Sequence, residues 1–165
     1  MILVTVGMHA QGFDRLVRAA DELASQIEEP VFIQYGSSNY VPRYAQCSQW
    51  ITSTQMEQLN ENARVIIAHA AAGAVILALK LAKPLVLVPR AKRYGEHIDD
   101  HQQQLAAALS ADNQAVSVVE PTPATLQQAI DRCMLLKPVC LSNRSLVLSL
   151  KRQLNQWNTV KTLDP

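Results

Sequence analysis

The sequence lacks most of the features that assign a function class at a glance. No apolar run approaches the ~20 residues that span a bilayer, so no transmembrane segment is expected. Its start, MILVTVG, carries neither a basic leader nor a long apolar stretch, which argues against a secretory signal. An excess of one charge is missing too: a net charge of +1 argues against the electrostatic footprint of a nucleic-acid partner, which would need a clustered basic face. Cysteine is scarce, and Cys47, Cys133 and Cys140 have no metal-ligand spacing. An odd, unspaced set fits reduced thiols in a cytoplasmic protein better than a disulfide framework. There is no HExxH; His97 and His101 stand four apart without a third ligand at suitable spacing, so no metal is expected. GxGxxG and GxxxxGK[ST] are absent, as are internal repeats and low-complexity tracts.

What is present is an alternation of apolar runs and helical patterns. The 165 residues have the length of one domain, 1–165. Strands are expected over Ile2–Val6, Val31–Tyr35, Gln49–Ile51, Arg64–Ala68, Pro84–Val88 and Ala115–Val119. Helices are expected over Phe13–Ile27, from Ser53 behind a hydroxyl cap, over Gly73–Leu81, Ile98–Leu109 and from Pro121 to about Leu136. Residues 37–48 read as an irregular loop. A last helix, Asn143–Trp157, carries Leu146, Val147, Leu150, Leu154 and Trp157 on one stripe, to pack on this domain or on a partner. Strands that are continuously apolar and separated by helices imply an α/β fold. The expected architecture is a Rossmann-like parallel sheet with helices on both faces.

In such a fold a ligand binds outside the carboxyl ends of the strands. Those ends carry Gly7-Met8-His9, Gly36-Ser37-Ser38, His69 to Gly73, and Pro89-Arg90. The small residues Ala70 to Gly73 open a helix whose first amides lack partners and whose dipole is positive, a setting for an anion. Close helix–strand packing is the plainer account of the same alanines. Arg90 directly follows a buried strand, and a guanidinium there suits bidentate phosphate binding, whereas Lys92 and Arg93 read as solvated. The run GEHIDDHQQQLA, from Gly95, packs six polar groups between Glu96 and Gln102, more than a helix cap needs and suited to sugar hydroxyls.

The segment HAAAGAVILALKLAKPLVLVPR…GEHIDDHQQQLA resembles the donor-binding segment of family-28 glycosyltransferases, and VTVGMHAQGFDRLVRAADELA is similar to the opening of one branch. That branch holds the small catalytic subunit of the two-chain dolichol-linked GlcNAc transferase and bacterial two-chain exopolysaccharide transferases. The resemblance covers Met1 to about Leu109. It implies the C-terminal half of a GT-B enzyme, a UDP-sugar donor, no cofactor or metal, and an inverting hexosyl transfer to a lipid-linked or polysaccharide acceptor. A membrane-anchored partner would supply the acceptor half and recruit this chain to the inner face of the membrane. Carried over by position, Gly7, Met8 and His9 border the diphosphate, with His9 a candidate base unless the partner provides one. His69 with Ala72, Gly73 and Ala74 would hold the diphosphate, joined by Arg90. Ile51, Thr52 and Ser53 fall where the family reads uracil, and Asp100, His101 and Gln102 would face the sugar. The chain departs from the pattern at Ala71, Ala74, Leu77 and Met8, which leaves a non-catalytic, scaffold-like family member as the alternative.

Overall fold

A computed structural model describes residues 1–136. The helix expected over 143–157 and Cys140 lie outside the described residues. Six strands form one parallel sheet: β1 (Ile2–Thr5), β2 (Val31–Gln34), β3 (Gln46–Ser48), β4 (Val65–His69), β5 (Leu85–Val88) and β6 (Val116–Ser117). Their order is β3-β2-β1-β4-β5-β6. Five α-helices connect or flank them: α1 (Asp14–Ala24), α2 (Ser53–Asn62), α3 (Ala72–Lys80), α4 (His101–Ala111) and α5 (Pro123–Leu135). The sheet is therefore the α/β, Rossmann-like layer expected from the continuous apolar strands.

Both sheet faces are buried, and the strands divide their side chains between them. Ile2, Val4, Ile33, Val65, Ile67, Val86 and Val88 pack with Leu16, Val17, Ala20 and Leu23 of α1 and Leu126, Ala129 and Ile130 of α5. On the other face Leu3, Ile66, Ala68, Leu85 and Leu87 meet Val75, Ala78 and Leu79 of α3 and Leu105, Ala106 and Leu109 of α4. Alternate residues thus serve two cores, which is why no polar face shows in the strands.

Two elements differ from expectation. The third strand begins three residues earlier, inside the supposed loop, because a buried carboxylate organises the chain just before it. Asp21 on α1 is fully buried and accepts N–H groups from Arg43, Tyr44 and Ala45, each at 2.9 Å, and the Tyr40 hydroxyl at 2.7 Å. Strand pairing follows at once, Gln46 to Ser48 against Phe32 to Gln34. The fourth helix starts at His101 rather than Ile98, so His97 and His101 do not share a helix face. The Asp99 carboxylate lies between them, at 3.0 Å from His97 Nδ1 and 2.7 Å from His101 Nδ1.

Burial opposes ionisation of Asp21, but the three N–H groups and the Tyr40 hydroxyl outweigh it and hold the carboxyl below its ordinary range. An acid whose folded pKa is depressed stabilises the fold above its unfolded pKa and loses that contribution as pH falls through the folded value. Asp21→Asn is expected to cost about 3 kcal/mol, since an amide turns one end from acceptor to donor among those N–H groups. Urea titrations at neutral and acid pH test this: the deficit should begin to shrink below about pH 4, where the unfolded chain's carboxyl takes up a proton, and go on shrinking as pH falls through the lower folded value.

Candidate functional site

The strand order reverses between β1 and β4, and a cleft of about 550 Å³ opens beside that point. A crevice at the reversal is where open α/β sheets take their ligands. Its rim combines Gly7 and Met8 after β1 with His69 at the end of β4, and Ala71, Gly73 and Ala74 at the start of α3. Trp50, Ile51, Thr52 and Ser53 lead from β3 into α2 and form the facing wall. Deeper in, Met56, Asn60, Ile66 and Leu77 line it, with Thr5 and Gln34 beneath the β1 end.

Each wall has a local cause. Ser48 Oγ donates to Trp50 O at 2.8 Å, turning the chain out of the sheet after β3. Thr52 then caps α2: its hydroxyl accepts from Gln55 N at 3.2 Å while Gln55 Oε1 accepts from Thr52 N at 2.9 Å. On the opposite side α3 begins behind Ala71, which has no side-chain acceptor, so the first amides of the helix stay open. A side-chain atom placed on Gly73 would meet nothing within 4 Å, so the approach to those amides is unobstructed.

Gly7 is in the left-handed region, φ 76°, and the His69 ring lies against it. A Cβ there would stand 2.5 Å from His69 Cε1 and 2.6 Å from Nε2, so only glycine lets the ring pack this way. Burial, reinforced by the charge of Arg90, brings the His69 pKa down to about 4, so the imidazole is neutral at physiological pH. Its Nδ1 is buried without a hydrogen-bond partner among the described residues.

Gln34 fastens the two walls together. Its Oε1 accepts from the Thr5 hydroxyl at 2.8 Å and from Gly7 N at 3.2 Å. Its Nε2 donates to Gly7 O at 3.2 Å and to Gln49 O at 3.1 Å. One amide thereby sets the β1 turn and the entry to the Trp50 wall at once.

Eight of the site residues expected from the sequence meet in this cleft, Gly7, Met8, Ile51, Thr52, Ser53, His69, Gly73 and Ala74, together with Ala71 and Leu77, two of the positions that depart from the family pattern. Ala72 sits between Ala71 and Gly73 in the same helix start without lining the cleft. His9 also stands outside, its ring centroid 5.1 Å from that of His97. Burial, then the charges of Arg90 and His97, lower its pKa, and its Nδ1 accepts from Gln11 N at 3.2 Å. A neutral His9 in that arrangement carries its hydrogen on Nε2 and offers a donor there rather than a base.

Arg90 requires a correction. Its guanidinium is buried, 1% exposed, and both terminal nitrogens donate to main-chain carbonyls rather than facing a phosphate. One terminal nitrogen donates to Gln11 O at 2.8 Å, Gly12 O at 3.0 Å and Glu96 O at 3.0 Å; the other donates to Val6 O at 2.8 Å. The group also lies over the Phe13 ring, 4.8 Å from its centroid. Burial lowers its pKa to about 10, with Glu96 opposing, so it stays charged.

Gln102 and Asp100 are also engaged by backbone. Gln102 Oε1 accepts from Arg90 N at 3.1 Å, and Asp100 Oδ1 accepts from Lys92 N at 3.0 Å and Gln103 Nε2 at 3.0 Å. With His101 beside Asp99, this set borders the β5 end and does not line the cleft. The residues that sequence reading passed over are Thr5, Gln34, Trp50, Met56, Asn60 and Ile66. Polar residues closing two buried strands, Thr5 and Gln34, were the available signal.

A family model for the glycosyltransferase family 28 C-terminal domain matches residues 1–152. The chain belongs to this family. No curated protein sequence matches it. Among solved structures, this family-28 domain is similar to the calicheamicin glycosyltransferase CalG4, at 20% identity and a TM-score of 0.61 over 79% of this chain and 34% of that one. It is also similar to MurG of Acinetobacter baumannii, at 21% identity and a TM-score of 0.56 over 81% of this chain and 42% of MurG. The solution structure of ALG13 is similar at 19% identity and a TM-score of 0.58, over 93% of this chain and 94% of ALG13. The family-28 domain thus spans less than half of CalG4 or MurG and nearly all of ALG13. These likenesses show the fold, the GT-B C-terminal layer. Among the described residues no helix is long and apolar enough to cross a membrane.

Proposed function

We propose that this family-28 domain is the donor-binding subunit of an inverting glycosyltransferase, taking a UDP-sugar into the cleft at the β1–β4 reversal. The observation that carries the reading is the start of α3. Its unpaired amides, with Gly73 and Ala74 on the cleft wall and His69 alongside, form an unobstructed site for the diphosphate. Trp50 and Ile51 offer flat apolar surface for the base on the facing wall.

Transfer needs an acceptor half that this chain does not supply, and the reading assigns it to a membrane-associated partner. The acceptor oxygen attacks the anomeric carbon while the bond from that carbon to the β-phosphate oxygen breaks, and UDP departs with the electron pair. The acceptor proton passes to a base, which the reading places on the partner, since the His9 Nδ1 lone pair is engaged by Gln11 N. No cofactor is required for this displacement.

Titration calorimetry with UDP and UDP-sugars tests the proposal. Saturable binding supports it, and no heat up to millimolar nucleotide with the partner present overturns it. One observation favours a second reading, a binding or scaffold member without transfer: among the described residues lining the cleft there is no Lys or Arg side chain. UDP release by a reconstituted pair refutes that reading.

A further inference from the structure

The polar side chains along the cleft differ in what they have left for a ligand. Gln34 uses both ends of its amide on Thr5, Gly7 and Gln49. The Thr5 hydroxyl donates to Gln34, and Thr52 is committed to its cap. Asn60 combines a buried amide with an acceptor that has no partner among the described residues. It is 3% exposed, two turns down α2 from the mouth of the cleft, among Met56, Ile66 and Leu77. Its Nδ2 donates to Met56 O at 2.7 Å, which fixes the sense of the amide, and its Oδ1 accepts no hydrogen bond among the described residues. That oxygen is not one of the enclosed, unpartnered atoms; it keeps access to the cleft that the residue lines.

A leucine would fill the same space with no carbonyl for a ligand to desolvate, and a ligand that covers an amide oxygen without pairing it binds at a cost. Packing alone does not account for an asparagine at this depth. We infer that Asn60 is a specificity-determining residue whose Oδ1 accepts a hydrogen bond from a donor on the nucleoside part of the ligand. Two groups of a uridine nucleotide have that chemistry, the base N3–H and the ribose hydroxyls. The acceptor stands alone in apolar surroundings, so a ligand lacking the donor leaves it unpaired and is rejected. This inference rests on the nucleotide reading of the cleft.

Calorimetry on the full chain separates the possibilities, using UDP, N3-methyl-UDP and 2′,3′-dideoxyuridine diphosphate with the native protein and with Asn60→Leu. Asn60→Leu is expected to bind UDP roughly tenfold more weakly. The analogue missing the recognised donor should bind the native protein about as weakly and be indifferent to the substitution, which identifies the group. Asn60→Asp keeps an acceptor and should retain more of the UDP affinity than the leucine variant. If Asn60→Leu lacks a native far-UV spectrum, Asn60→Ala takes its place. Unchanged UDP binding by the variant, or equal losses for UDP and both analogues, overturns the inference while leaving the nucleotide reading intact. A native protein that binds no UDP overturns both.

Discussion

Arg90→Ala is expected to lower stability by about 4 kcal/mol, the range found when a buried charged group is removed from its partners. Four carbonyls, from Val6, Gln11, Gly12 and Glu96, lose their donors together. Glu96 keeps Arg15, whose guanidinium nitrogens lie 3.0 and 2.9 Å from its carboxylate, so the loss concentrates on the loop between β1 and α1. That loop carries Gly7 and Met8, and nucleotide affinity should fall with stability. Arg90→Lys should recover less than half of the loss, because an ammonium is a compact donor that does not span the four carbonyls. Urea titrations of the three proteins provide the test. A Lys variant as stable as the native chain would show that charge, not the fork of donors, holds the loop.

Gly7→Ala is the second large effect. The new Cβ would meet the His69 ring at 2.5 Å, and an L residue at φ 76° is strained by itself. Backbone strain contributes roughly 1–2 kcal/mol, and displacement of the ring adds to it. Moving the ring also disturbs the cleft beside the α3 amides, so UDP affinity should fall about a hundredfold, near 3 kcal/mol. The ring contribution can be isolated: in a His69→Ala background Gly7→Ala should retain only the backbone strain. Equal stability losses in both backgrounds would show that the imidazole plays no part.

The strands and helices were legible because their signals are local. Val4, Ile67 and Val86 are apolar on one face and Leu3, Ile66 and Leu87 on the other, so each run had to be covered twice. The carboxyl-end location of the cleft followed from that class. What sequence did not disclose depends on partners far along the chain. Arg90 follows a buried strand whether it faces a phosphate or the loop at Gln11, 79 residues away; only the fold decides. The third strand was displaced because Asp21, a residue of α1, pins Arg43 to Ala45 in place. Gln34 and Asn60 look like ordinary polar residues until their hydrogen bonds are drawn. Polar atoms are satisfied or left open by tertiary contacts, and no spacing rule reports that.

The pairing of Ile2 with Val65 has a kinetic consequence. The two strands that flank the cleft are joined through a long intervening segment, so the contact forms only after a costly loop closure. No contiguous fragment short of that closure contains both Gly7 and His69 in register. Half a domain therefore carries no half-built cleft. Nucleotide that binds the closed form alone adds to the stability of the whole sheet, about 2.7 kcal/mol at a hundredfold excess over Kd. Thermal melts of the chain with and without UDP would therefore report on site and sheet as one cooperative unit.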